Sequence, residues 1–359
     1  MIQRSLNLRD YLERRLAEHQ PALSCTARTR DEFQHWQAEF VRRLTACFGE
    51  LPEPVPLNAE TVRRVSLPGI RAEKVLFDSA RYLSVAAWIL VPDGLRAGER
   101  RPALCLIPGH SGEIHADAPG KIVDETSGKA WAVGLNPDGK PCSTRYHNDL
   151  AQQLARAGFV VYCADMLGFG ERASDPHWAR NQWTHVCDLH ATALRHFGVE
   201  LVAIHLHDLC RGLDYLQTRP DVDAGRIATA GCSIGGTWAT YLAALDPRIR
   251  AAAVINSYPN TIAKFLAKKC GPCGAQVVPG EGLLGDASDV LCALAPRPLM
   301  IQIGDRDPGM TLVDSQTPAE KAQRLYAMLG HGDRCTVHVF PGGHEIDTPA
   351  TVAWMRTAL

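Results

Sequence analysis

No run of about 18 apolar residues occurs in this chain, so nothing in it reads as a membrane-spanning helix. The opening residues Met1-Ile-Gln-Arg-Ser-Leu-Asn-Leu-Arg-Asp also lack the apolar stretch of a secretory signal, and the expectation is a soluble, cytoplasmic protein. Charge of one sign is missing as well: 38 basic residues against 39 acidic ones leave a net charge of −1. That balance excludes a global field able to gather nucleic acid or an anionic membrane, and makes a neutral or small polar molecule the expected partner. No Pro/Ser-rich linker, internal repeat or low-complexity tract divides the 359 residues. The length suits one large α/β domain with additions, or two ordinary domains, and 46% apolar with 21% charged residues is enough for a substantial core. Twelve cysteines are present. Because Cys105, Cys163, Cys232 and Cys335 sit inside apolar strand-like or helical segments, buried free thiols account for them better than disulfides.

What is there is an alternation. Residues 5–50 read as two charged helices, the second carrying Trp36, Phe40, Leu44 and Phe48 at four-residue spacing as an apolar stripe, and the Pro-rich stretch 51–57 ends them. Beyond about Val65, β-like segments come at 74–77, 83–91 and 103–107, the last a continuous apolar run suited to a buried strand. Helices at 148–157, 202–216, 236–245 and 318–329 then alternate with strands at 159–164, 227–230, 250–255, 299–303 and 336–340. This order predicts an α/β fold, a mostly parallel twisted sheet flanked by helices, with active residues at the strand C-terminal ends. The expected division is an N-terminal helical extension over residues 1–60 and an α/β domain over 61–359. Within it, segments 113–147 and 171–200 each follow a strand's C-terminal end, and loops of that length are uncommon unless they serve function.

The chemistry begins at Gly231-Cys-Ser-Ile-Gly235, a Gly-x-Ser-x-Gly pattern between the strand 227–230 and an alanine-rich helix. A serine on a sharp strand-to-helix turn takes a strained backbone conformation, so its neighbours must be small, and the helix beyond points free N–H groups at any oxyanion formed there. Ser233 is thus the candidate nucleophile. A serine hydroxyl needs a base within hydrogen-bond reach, oriented in turn by an acid. The strand 299–303 runs into Gly304-Asp-Arg-Asp-Pro308, where Asp307 is the preferred acid and Asp305 the alternative. The strand 336–340 runs into Pro341-Gly-Gly-His-Glu345, which places His344 as the base. For the oxyanion, Ile234 offers one backbone N–H and the loop Pro108-Gly-His-Ser-Gly112 the other, from His110 or alternatively Gly109.

These segments resemble the α/β-hydrolase superfamily, and within it the acetyl xylan esterase-like and dienelactone hydrolase-like branch. Pro108-Gly-His-Ser-Gly112 is similar to the oxyanion loop of those esterases, Ala164-Asp-Met-Leu-Gly-Phe-Gly-Glu-Arg172 to their Asp-x-x-Gly-x-Gly turn, and Gly231-Cys-Ser-Ile-Gly-Gly236 to the nucleophile helix. Ala295-Pro-Arg-Pro-Leu299 with Gly304-Asp-Arg-Asp-Pro308 resembles the acid strand and its loop, and Gly342-Gly-His344 the histidine loop. The likeness runs over roughly residues 30–350 and departs from the family in 112–147 and after Arg172. It implies the α/β-hydrolase fold, Ser233, Asp307 and His344 as a triad, and a serine hydrolase acting on small carboxylic esters, with acetylated sugars as an implied substrate. Amide, lactone or carbon–carbon bond hydrolysis suits the same scaffold, and a non-catalytic ligand-binding protein is the alternative of another class.

Trp178, Trp183 and Arg172 are the candidate substrate-binding residues; the tryptophans could equally pack a cap, and Arg172 could pair with Glu171. Cys270-Gly-Pro-Cys273 has the spacing of a redox site but sits in an unrelated pattern, so a structural loop is expected there. No second ligand pair lies nearby in sequence, and His205 and His207, two apart on a helix, cannot share a metal from one face. No metal and no organic cofactor are expected, and a homo-oligomer is compatible with the sequence.

Overall fold

The structure is a computed structural model that describes residues 4, 6–110, 133, 135, 138–141, 148–172, 186–257 and 273–359. Among the described residues the strands are β1 (Glu60–Leu67), β2 (Ile70–Ala80), β3 (Leu83–Pro92), β4 (Arg101–Ile107), β5 (Val160–Ala164), β6 (Val222–Cys232), β7 (Ile249–Ile255), β8 (Leu299–Gly304) and β9 (Cys335–Phe340). They form one sheet in the order β1-β2-β3-β5-β4-β6-β7-β8-β9. The first three strands pair antiparallel and β3 joins β5 antiparallel, while every pairing from β5 through β4 to β9 is parallel. Because β5 lies on one side of β4 and β6 on the other, the chain reverses its direction of travel across the sheet at β4. The connections leaving β4 and β6 therefore diverge and open a crevice at their C-terminal ends, the usual ligand position of such sheets.

The period-2 pleat splits the core in two. Ala103, Cys105 and Ile107 of β4 join the buried cluster on one face, and Leu104 and Leu106 join that on the other. The first face is covered by helices α2 (Arg30–Cys47), α5 (Leu201–Thr218), α6 (Ile234–Leu245) and α9 (Leu312–Met328); the second by α3 (Leu150–Arg156) and α10 (Thr348–Ala358). The central strands are buried on both sides and so read as apolar runs, whereas β1 at the edge exposes Arg63 and Arg64.

The N-terminal helices, α1 (Leu8–Glu18) and α2, form as the sequence predicts, with the Thr29 side chain accepting from the Glu32 N–H to cap α2. The stripe on α2 buries Phe40, Leu44 and, at its C-cap, Phe48, and it takes in Phe33 as well. Trp36 is only partly buried, stacks on Phe40 at 4.9 Å, and donates its indole N–H to Leu23 O. Phe48 packs edge-on against Tyr241 of α6 at 5.3 Å, so this layer is continuous with the main core.

Four elements differ from the sequence reading. Segment 171–200 is not irregular throughout: it holds α4 (Val186–Arg195), whose periodicity is masked in the sequence by its His190 and by the polar residues before it. The strand β1 and the helix α10 also escape the pattern, β1 because an edge strand lacks a buried face and α10 because Pro349 sits in its first turn. The helix α9 starts at Leu312, so Pro318 lies inside it and not at its start.

Candidate active site

At the end of β6, Ser233 has φ 61° and ψ −130°, a conformation that costs a side-chain-bearing residue on the order of 1–3 kcal/mol. The surroundings hold it there. The Ser233 N–H donates to Ile255 O at 3.1 Å, and its carbonyl accepts from the N–H groups of Gly236 and Thr237 at 2.9 and 3.1 Å. A Cβ on Gly231 would lie 2.2 Å from Gly235 O, and one on Gly235 would lie 2.1 Å from Ile107 O, both against backbone that cannot yield. Both glycines of the pattern are thus required by contact. The approach of Gly235 to the Ile107 and Pro108 carbonyls also sets the loop bearing Gly109 and His110 beside the elbow. Ile234 opens α6, where N–H groups have no acceptor within the helix.

Two strands along, the loops after β8 and β9 meet. The His344 Nδ1–H donates to Asp307 Oδ2 at 2.6 Å, while Asp307 Oδ1 accepts from the N–H groups of Gly309 and Met310 at 2.8 and 3.0 Å. The Asp307 side chain is fully buried, and burial alone would push its carboxyl up. The bond to His344, that ring's charge and the two backbone donors outweigh burial and hold it below the usual aspartate range. Asp305 is placed differently, half exposed with Arg306 at 3.5 Å, so of the two sequence candidates it is Asp307 that reaches the histidine. Cys232, next to Ser233, is buried, and burial followed by the nearby Asp307 charge pushes its thiol far up, which keeps it protonated and unreactive.

A model of the Abhydrolase family matches residues 3–344. The chain belongs to that family. Its sequence is 24% identical over 316 residues to the putative hydrolase YtaP of Bacillus subtilis, covering 86% of this chain and 94% of that one. Its fold is similar to that of a putative acetyl xylan esterase from Bacteroides fragilis, with a TM-score of 0.76 at 17% identity, covering 99% of this chain and 96% of the other. It is also similar to a glucuronoyl esterase from Solibacter usitatus, with a TM-score of 0.63 at 15% identity over 95% and 97% of the two chains. The fold is that of the α/β-hydrolases.

The remaining sequence candidates fare unevenly in this Abhydrolase-family chain. Trp178 and Trp183 lie outside the described residues, as does Cys270. Arg172 does not pair with Glu171. Its guanidinium is buried against the Asp208 carboxylate at 2.7 Å and donates to Asp165 O, while Glu171 pairs with Lys74, so Arg172 clamps the turn after β5 to α5. His205 and His207 do diverge, donating to Leu167 O and Ser79 O respectively. The cysteines among the described residues are free thiols, as expected.

Two features escape the sequence. Asn256, just past β7 with φ 45°, accepts from the Gly304 N–H at 2.7 Å and donates to Gly343 O at 3.3 Å and Glu345 O at 2.6 Å, so one amide bridges the acid strand and both neighbours of His344. Its only signal is an Asn at a strand end, which is common in turns. The second is a cluster. Sequence spacing predicts no metal ligand set around Cys273, yet the fold brings Cys187 from α4 and His110 from the loop after β4 to it, with all three ligand atoms within 4.8 Å of one another. Ligands 77 and 86 residues apart have no local spacing to read.

Proposed function

We propose that the protein is a serine esterase acting on carboxylic esters of small molecules, with Ser233 as nucleophile, His344 as base and Asp307 as orienting acid. The observation that carries this reading is the Ser233 backbone at φ 61° and ψ −130° at the head of α6, a strain that a structural serine has no need to bear. With Nδ1 committed to Asp307, proton exchange with the serine falls to Nε2 of His344. Ser233 Oγ adds to the ester carbonyl as its proton passes to His344. The oxyanion is met by the N–H groups of Ile234 and His110, and the imidazolium is stabilised by the Asp307 carboxylate. His344 then protonates the leaving alcohol, and water, activated by the same imidazole, releases the acid from the acyl-enzyme. No metal or organic cofactor enters these steps. Acetyl esters of sugars are the proposed substrate class, supported by the likeness of the fold to proteins named as acetyl xylan esterases.

The test uses p-nitrophenyl acetate, a panel of acetylated sugars, lactones and aryl esters, and a fluorophosphonate probe. Ser233→Ala is expected to lower kcat by about 10⁴-fold or more and to abolish labelling, with circular dichroism unchanged. Labelling elsewhere, or turnover retained in Ser233→Ala, would reject the assignment.

A further inference from the structure

The side chains of His110, Cys187 and Cys273 form a cluster outside the proposed triad; of the three residues, only His110 has a part in the proposed chemistry, through its backbone N–H. We propose that it is a binding site for a thiophilic divalent metal ion of the zinc class. Two thiols and an imidazole with no carboxylate among them form a soft donor set, suited to zinc and its neighbours and unsuited to calcium or magnesium. The spacing fits. Tetrahedral zinc with sulfur at about 2.3 Å and nitrogen at about 2.0 Å separates neighbouring donors by roughly 3.5–3.8 Å. His110 Nε2 and Cys273 Sγ already stand 3.4 Å apart, and the widest separation within the cluster, at most 4.8 Å, needs a closure of about 1 Å to match the tetrahedral edge.

The donors are also held. Cys187 is 1% exposed at the start of α4, and Cys273 is 8% exposed. The segment after Cys273 is fixed by its Gly274 N–H donating to Asp188 Oδ1 at 2.7 Å, and by the Trp238 indole donating to Ala275 O at 3.1 Å. Such outer contacts are what orient ligands in protein metal sites. Three protein donors leave a fourth position for water or another oxygen. Binding displaces two thiol protons to solvent and leaves the ion with two thiolates and a neutral imidazole. The ion would join three separate pieces of chain: α4, the segment at Cys273, and the loop after β4 that faces the elbow. The site rests on the chemistry, spacing and burial of its donors and stands whether or not the protein is an esterase.

The experiment takes the full-length protein, stripped with a chelator and kept reduced by a phosphine, and titrates it with Co²⁺ and then Zn²⁺. Expected are one ion per chain, thiolate-to-cobalt charge-transfer absorption in the near ultraviolet, and its loss on displacement by Zn²⁺. Cys187→Ser and Cys273→Ser should each weaken binding by 100-fold or more, and His110→Ala by about 10-fold or more. In the parent protein, Zn²⁺ should also protect Cys187 and Cys273 from alkylation, read by peptide mass spectrometry, a measurement that needs no variant to fold. Absence of the charge-transfer band, unprotected Cys187 and Cys273 at saturating Zn²⁺, or undiminished affinity in the folded Cys187→Ser, Cys273→Ser double variant would each overturn the proposal.

Discussion

Two buried carboxylates in different parts of the molecule, Asp307 in the loop after β8 and Glu281 beneath the N-terminal helices, are driven in opposite directions. Asp307 is ringed by donors, namely His344 and the N–H groups of Gly309 and Met310, and is held below the usual aspartate range despite its burial. Glu281 lies in the short helix α7 (Glu281–Leu284), with the Tyr241 hydroxyl as its side-chain donor. Burial pushes it up from the ordinary 4.5 to about 7, against the smaller pull of that hydroxyl. Burial is common to both, so the number and charge of the donors decide which carboxylate stays ionised. The ionised one faces His344, where the proposed mechanism calls for a permanent negative partner; the one near its titration point sits in packing.

Substitutions at these carboxylates test the contrast. In Asp307→Asn the amide removes the charge and disturbs the tautomer of His344, so kcat on p-nitrophenyl acetate should fall by about 10⁴-fold with the fold intact; a fall of less than about tenfold would move the orienting role elsewhere. Glu281→Gln should act on stability instead. A carboxyl whose folded pKa is raised favours the folded state fully below its unfolded value of 4.5, and that contribution is lost as pH rises through about 7. Above pH 7 the Gln variant should therefore be more stable by on the order of 3 kcal/mol, with the difference shrinking toward pH 4.5, as urea titrations at several pH values would show. A variant no more stable at pH 8 than at pH 5, relative to the parent, would mean that Glu281 is solvated in ways the packing does not suggest. Asp305→Asn is the smallest change. An exposed ion pair is worth at most about 1 kcal/mol, so kcat/KM should shift by less than about fivefold; a larger loss would put Asp305 in the machinery after all.

The alternation of strands and helices was readable because central strands buried on both faces become apolar runs, and helices flanking them keep a one-sided stripe. Ranges such as 83–91 and 250–255 match β3 and β7 to within a residue for that reason. Where burial is one-sided or absent the pattern fades, as in β1. The elbow is legible because half of its constraint is local: a Cβ on Gly231 would meet Gly235 O within the five-residue turn, whereas the demand on Gly235 comes from Ile107 O on the neighbouring strand. In the sequence Asp305 and Asp307 share one turn, and only the side-by-side placement of β8 and β9 brings Asp307 into contact with His344.

The sequence by itself determined the sheet-and-helix order, the Ser233 turn, and the strand ends carrying Asp307 and His344, since each depends on residues within a few positions of one another. Only the tertiary structure decided that Asn256 bridges the two loops holding the acid and the histidine, that Arg172 closes on Asp208, and that Cys187, Cys273 and His110 converge. Those arrangements join residues from 36 to 163 positions apart in the chain, and at such separations nothing in the local pattern of side chains constrains which of them will meet.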